Sequence, residues 1–309
     1  MTSDDNNSLS YQASLDFNKA RSKAILSQIQ HFLDMDKDEL LSFNDVKSIL
    51  KPKNEVYRGM QVVPVKLIVG SEGRHRDFNK FFHPRSDRLR TRWERVDQAH
   101  LKDIILPPIQ LYEIGGAYFV RDGNHRVSVA RTQKVEAIDA EVTSLSSEIT
   151  IKPGMSTSDL KRAVIEYEKG IFYEQTDFGN LTGDNDLDFS SAGRYDVIYN
   201  HILVHKYYLN QDREEEILFS DALVSWYNNV YVPIIEIIRE EWVDLNFPGN
   251  TMSDLYLWIV KHWDFLKIEF GEHYSRKNAV RDFSEKYGKS KGVVLRFIEV
   301  MFDRILKNL

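Results

Sequence analysis

The sequence predicts an α+β fold with a helical tail: a helical segment over residues 1–57, a small α/β domain over 58–150, a linker with one helix over 151–195, and a mostly helical domain over 196–309. Three patterns predict it. Short β-branched runs alternate with helical spacings between 58 and 150, apolar residues recur at helical spacing before that stretch, and helical spacing dominates after 194.

Residues 12–33 place Leu15, Phe17, Ala20, Ala24, Ile25, Ile29, Phe32 and Leu33 on a helical repeat, and LLSFNDVKSIL at 40–50 reads as a second, shorter helix capped near Ser42 or Asn44. QVVPVKLIVG, 61–70, is β-branched and short enough for one strand. WERVDQAHLKDIIL forms a helix that Pro107-Pro108 breaks, and PPIQLYEIGGAYFVRDG is a hairpin turning at Gly115-Gly116. A helix over 125–133 follows. IDAEVTSL then alternates Ile138, Ala140 and Val142 against Asp139, Glu141 and Thr143, the pattern of a half-buried strand. STSDLKRAVIEYEKG is a helix capped at Ser156 or Ser158, and FGNLTGDNDLDFSSAG reads as polar linker. Helices are expected over 194–209 and 213–240, across SDLYLWIVKHWDFLKIEF, and in two amphipathic pieces around Gly288.

Composition narrows the function classes. With 42% hydrophobic and 12% aromatic residues the chain can bury a core, and with no cysteine it has no disulfide, thiolate nucleophile, zinc ribbon or iron–sulfur cluster. It has no run of 18 apolar residues, and MTSDDNNSLS is polar and acidic, so neither a membrane span nor a signal peptide is expected and a cytoplasmic location follows. A net charge of -6 gives no general attraction to nucleic acid. The charge is uneven, however. The twenty residues from Gly73 hold seven basic side chains, Arg74, Arg76, Lys80, Arg85, Arg88, Arg90 and Arg92, opposed by Asp77 and Asp87.

The most informative stretch is YFVRDGNHRVSVAR, 118–131. A strand that ends in Asp122-Gly123 and turns at once into a helix points backbone N–H groups at whatever sits beyond the helix N-terminus, where the dipole favours an anion. Gly123 permits a backbone angle closed to other residues, Asn124 follows it, His125 can donate a hydrogen bond or move a proton, and Arg126 can fork two hydrogen bonds onto a phosphate. Asp122 supplies a carboxylate for a metal or a base. The same residues also suit an ordinary strand-to-helix turn with Asn124 as N-cap and a surface Arg126.

The order strand, basic loop, helix, hairpin, Gly-x-His-Arg, helix, strand over roughly 58–145 resembles the ParB and sulfiredoxin superfamily, and DGNHR is most similar to the Asp-Gly-His-His-Arg version of its free-serine kinases. The whole chain also resembles an uncharacterised bacterial ParB-like family through IVGSEGRHRDF, RTRWERV, LPPIQLYEIGGAYFVRDGNHRVSVAR and FPGNTMSDLYLWI. The resemblance implies a small ParB/sulfiredoxin-like domain that seats nucleotide phosphates on Gly123, Asn124, His125 and Arg126, with Arg74 and Arg76 assisting from the facing loop. It implies Asp122, His125 and Glu72 as candidate catalytic groups. It also implies a nucleotide, ATP, ADP or CTP, with Mg2+ as cofactor and a small-molecule acceptor as partner in a kinase or nucleotidase reaction. Partition proteins carry a Gly-Glu-Arg-Arg box where this chain has a single Arg126, and sulfiredoxins carry a cysteine that is absent here.

Four other features bear on function. His201 and His205 fall four apart on a helix but lack a third ligand, so they read as packed histidines. DNDLD, 184–188, begins like a calcium loop but has Phe189 where Gly is required, so it reads as a solvated loop. The stripe Leu255, Leu257, Trp258, Trp263 and Phe265 is core or partner surface. FSEKYGKSKGVVLRFI, 283–298, has helix-turn-helix spacing, which makes a ParB-like DNA-binding regulator the alternative function. Helical C-terminal domains often dimerise, so a homodimer is one expected assembly.

Overall fold

The computed structural model describes residues 3–30, 38–211 and 213–288, and the chain divides into two compact units at Val164/Ile165. The fold is mixed α and β, with one six-stranded sheet and helical regions before and after it.

The first unit opens with α1 (Ser3–Gln30), which begins nine residues before the expected start; residues 3–11 offer only Leu9 and Tyr11 as apolar positions, too few to mark a helical repeat. Its Phe17 meets Trp93 of α3 (Arg90–Leu101) edge to face, with ring centroids 5.6 Å apart. A two-residue strand β1 (Leu41–Ser42) leads into α2 (Phe43–Leu50), where Ser42 is the N-cap and its Oγ accepts from the Asp45 N–H. The expected single strand over 61–70 is two strands. β2 (Glu55–Pro64) ends at Pro64, a 3-10 turn (Val65–Leu67) crosses over, and β3 (Ile68–Ser71) follows on the other side of the sheet. The physical reason is Pro64, which has no N–H to continue a ladder.

β4 (Ile109–Ile114) and β5 (Ala117–Asp122) form the expected hairpin, with Gly115 and Gly116 both at positive φ. α4 (Asn124–Thr132) follows, and β6 (Ala137–Leu145) closes the unit. The sheet order is β1-β3-β5-β4-β6-β2, with β3 parallel to β5 and β4 parallel to β6. One face packs Ile68, Ile109, Leu111, Val120 and Val142 on Val127, Phe78 and Phe82; the other packs Val69, Tyr112, Ile114 and Phe119 on Phe43, Val46 and Leu160. β3 approaches its neighbours so closely at Gly70 that a Cβ there would lie 2.3 Å from the Phe119 ring and 2.5 Å from the Leu41 carbonyl oxygen.

The basic loop between β3 and α3 is anchored at several points. Phe78 and Phe82 are buried, the Asn79 Oδ1 accepts from the Phe81 and His83 N–H groups, and Arg85 Nη2 donates to Asp38 Oδ2 and to its carbonyl, each at 2.9 Å. These contacts fix the loop backbone and the Arg85 side chain.

The boundary between the units falls within α5 (Thr157–Thr176), where Ser156 is the capping residue: its Oγ accepts from the Asp159 N–H and the Asp159 carboxylate accepts from the Ser156 N–H. The second unit corrects the linker expectation. Residues 178–182 form α6 (Phe178–Thr182), and Leu187 and Phe189 are buried in the core, because each alternates with an acid that faces outward. The DNDLD loop is likewise pinned: Tyr227 Oη donates to Asp184 and Lys169 pairs with Asp188.

The expected helix over 213–240 is broken into α8 (Phe219–Trp226), a π turn (Tyr227–Tyr231) and α9 (Val232–Glu240), after α7 (Arg194–Asn210). Pro233 is the cause. It cannot donate to the carbonyl of Asn229, and Arg276 Nη1 donates there instead at 3.2 Å. α10 (Met252–Phe270) buries Leu255, Leu257 and Trp258 but leaves Phe265 exposed. His201 Nδ1 lies 3.3 Å from Tyr256 Oη and His205 Nε2 lies 3.0 Å from Ser225 Oγ, so each half-buried histidine has a protein partner. In α11 (Arg276–Tyr287), Lys277 and Arg281 pair with Glu241. The second helix of the helix-turn-helix-like segment, from residue 289 on, lies outside the described residues. Among the described residues no helix is long and apolar enough to cross a membrane.

Candidate functional site

The carboxyl end of β5, the amino end of β4, the middle of β6, and the adjoining parts of α3 and α4 enclose a cleft of about 740 Å³. Register builds its floor. Gln110 of β4 stands opposite Asp122 of β5 on one side and Glu141 of β6 on the other, so three distant positions lie side by side. Gln110 Nε2 donates to Glu141 Oε2 at 3.3 Å.

Gly123 turns the chain at φ 109°, and the first helical hydrogen bond runs from the Val127 N–H to its carbonyl. It caps α4 without a side chain, so Asn124 is the first helical residue and not the N-cap. A Cβ at Gly123 would lie 2.4 Å from Ile109 Cγ2, so this turn admits glycine alone. The first turn leaves backbone N–H groups without intrahelical partners, facing the cleft.

Asn124 and His125 are 7% and 5% exposed, and the Asn124 Oδ1 and His125 Nδ1 atoms are buried without a hydrogen-bond partner. A half-turn of the Asn124 amide offers a donor in place of that acceptor. The His125 ring stands edge-on to Phe78, with centroids 5.5 Å apart. Burial, reinforced by Arg92 and Arg74, pushes its pKa down to about 4, so the imidazole is neutral at pH 7.

Arg126 is committed to the protein. Its Nη2 donates to Asp122 Oδ2 at 2.6 Å, and its Nη1 donates to the carbonyls of Pro107 and Pro108, the latter at 3.1 Å. It therefore straps the Pro107-Pro108 segment over the start of α4 and half-neutralises Asp122. The free cations of the cleft are others. Arg74, Arg92 and Arg121 line it, and Arg92 makes no ion pair among the described residues, whereas Arg74 pairs with the exposed Asp77. Arg121 also lies over the Tyr112 ring at 5.7 Å.

The sequence expectations divide accordingly. Asp122, Gly123, Asn124, His125, Arg126 and Arg74 come together in the cleft. Arg76 does not line it. Neither does Glu72, whose charge acts on Tyr112, a ring packed on the opposite face of the sheet. Arg92, Arg121, Gln110 and Glu141 join the site without having been singled out for it. Arg92 had a signal, as part of the basic run next to a buried tryptophan; the others owe their place to strand register. Among the described residues no three His, Asp or Glu side chains gather as metal ligands. Asp122 and Glu141 fit Mg2+ only in the form in which phosphates provide the remaining oxygens.

Two native histidines resist protonation. His83 and His125 are each lowered from 6.5 to about 4, chiefly by burial. As pH falls from 6.5 the unfolded chain takes up protons that the folded protein refuses until about 4, so stability is lost across that window and is flat below it. After allowance for screening by solvent the loss between pH 7 and pH 5 is about 1–2 kcal/mol per histidine. Urea unfolding at the two pH values measures it, and His125→Gln is expected to remove one share of the difference.

No protein-family model matches this chain, and no curated protein matches it. Among solved structures a Pnob8-like ParB-N domain matches at 11% sequence identity, over 76% of this chain and 97% of that one, with a TM-score of 0.20.

Proposed function

We propose that the cleft binds the polyphosphate of a nucleotide and that the protein is a Mg2+-dependent phosphotransferase or nucleotidase acting through it. The observation that carries this reading is the pair Asn124 and His125, buried with unpartnered polar atoms at the N-terminus of α4 and faced by Arg74 and Arg92. Buried polar atoms without partners cost stability, and an anion with oxygen acceptors is the ligand that satisfies this set. A neutral His125 with its hydrogen on the cleft-facing nitrogen donates to a phosphate oxygen, and the helix N–H groups bind the same group. The arginines neutralise the charge that phosphoryl transfer spreads over the phosphate oxygens. Mg2+, held by Asp122 or Glu141 together with the phosphates, would supply further charge neutralisation. Asp122, 60% exposed on its side chain, is the carboxylate placed to take a proton from an acceptor hydroxyl.

Calorimetric titration with ATP, ADP and CTP in magnesium tests this reading. At least one nucleotide is expected to bind, and Arg92→Glu, an exposed change that breaks no ion pair, is expected to weaken it by tenfold or more, roughly 1.4 kcal/mol. No binding of any of the three, or unchanged binding in the variant, overturns the assignment.

A further inference from the structure

A second cleft, about 670 Å³, lies at the far end of α4, where β2 hands over to β3. Its apolar wall is Pro64, Val65, Phe81 and Val135, and its polar side is Lys66, His83, Arg131 and Lys134, with Glu136. Arg131 Nη2 donates to the carbonyls of Val65 at 3.2 Å and Ile68 at 2.6 Å, and its guanidinium lies 5.3 Å from the centre of the Phe82 ring. Its Nε has no hydrogen-bond partner, and among the described residues no carboxylate pairs with it. Burial pushes its pKa down to about 10, the mark of a cation held without a counterion. The His83 Nδ1 is likewise buried and unpartnered. Lys66 and Lys134 are exposed on the rim and make no ion pair among the described residues. With His83 neutral, the lining charge is +3 from Lys66, Arg131 and Lys134 and -1 from Glu136, a net of +2. A smaller hollow of about 270 Å³ shares Lys66, Phe81 and Arg131 and adds the cation Lys80.

We infer that this cleft is a separate binding site for a small organic phosphate, whose dianionic phosphate lies against Arg131, His83, Lys66 and Lys134 and whose apolar or aromatic body lies on Phe81, Val65 and Pro64. The dianion matches the net charge of the lining, and its apolar body covers the half-exposed Phe81 ring. The site is distinct from the nucleotide cleft. Arg131 is seven residues along α4 from Asn124, about 10 Å, too far for a phosphate here to reach the first cleft.

The test is calorimetric titration of the full chain with 1-naphthyl phosphate, with inorganic phosphate and 1-naphthol as the two halves of the probe. The wild type and Arg92→Glu are expected to bind 1-naphthyl phosphate alike, more tightly than either half. The double variant Lys66→Glu/Lys134→Glu is expected to bind it at least tenfold more weakly, and Phe81→Ala to lose the preference for 1-naphthyl over inorganic phosphate. Should the double charge reversal unfold the protein by circular dichroism, Lys66→Met/Lys134→Met replaces it with the same expected direction. Absence of binding up to millimolar probe, equal affinity in all variants, or loss in Arg92→Glu with retention in the lysine variants overturns the proposal.

Discussion

Gly123→Ala is expected to destabilise the first unit by about 2–5 kcal/mol and to remove nucleotide binding at the same time. Two costs add. An L-residue held in the left-handed region costs roughly 1–2 kcal/mol, and forcing a methyl group into a packed core costs roughly 1–3 kcal/mol more. The methyl cannot be accommodated by a swinging side-chain tip, because its nearest neighbours are Cγ2 and Cβ of Ile109, 0% exposed at the start of β4. Relief requires the turn to open, which moves the N–H groups of α4 and with them Asn124 and His125. The expected results are a lower urea midpoint for the first unit and calorimetric silence with nucleotides under conditions where the protein remains folded. Unchanged stability would mean that the turn does not need its φ of 109°, and unchanged binding would place the nucleotide elsewhere.

Trp93→Ala is expected to cost about 3–5 kcal/mol, the range for removing a buried aromatic from a packed core. Trp93 is 0% exposed and packs with Phe17, Ala20 and Val129, so its ring joins α1, α3 and α4. Its indole N–H donates to Ser128 Oγ at 2.8 Å, and that hydroxyl donates to the Phe82 carbonyl at 2.6 Å. The relay ties α3 to α4 and to the end of the basic loop. Trp93→Phe keeps most of the ring and breaks the relay, for an expected loss of about 1–2 kcal/mol. The alanine variant is also expected to weaken nucleotide binding, since Arg92 rides on the helix that Trp93 anchors. Chemical unfolding of the two variants separates the packing share from the hydrogen-bond share, and unchanged stability in Trp93→Phe would show that the relay contributes nothing beyond the ring.

Both predictions draw on features of unequal visibility in the sequence. The glycine was legible: Asp-Gly between a strand pattern and a helix pattern has few structural solutions, and the turn at Gly123 is one of them. Burial of Asn124 and His125 was not, since polar residues at a helix start are ordinarily solvated and only the packing of Phe78 and the β3–α3 loop covers them. Arg126 was legible as a charged group near an anion site, but its bonds to the Pro107 and Pro108 carbonyls come from a segment eighteen residues earlier.

What the sequence by itself determined is what near neighbours along the chain decide: a cap at Ser42 or Asn44 and another at Ser156 or Ser158, the Gly115-Gly116 hairpin, the amphipathic helices and the glycine turn before α4. Each rests on local backbone geometry or on a repeat of two or 3.6 residues. Tertiary structure decided the rest. It sent β2 and β3 to different places in the sheet and drew Leu187 and Phe189 of an apparently polar stretch into a core. It also chose the site. Gln110, Asp122 and Glu141 meet because three strands pair in one register, and Glu72 is set apart from them because its charge acts on Tyr112, on the other face of the same sheet. Register and facing are set by the burial of the whole sheet, and no local stretch of sequence contains them.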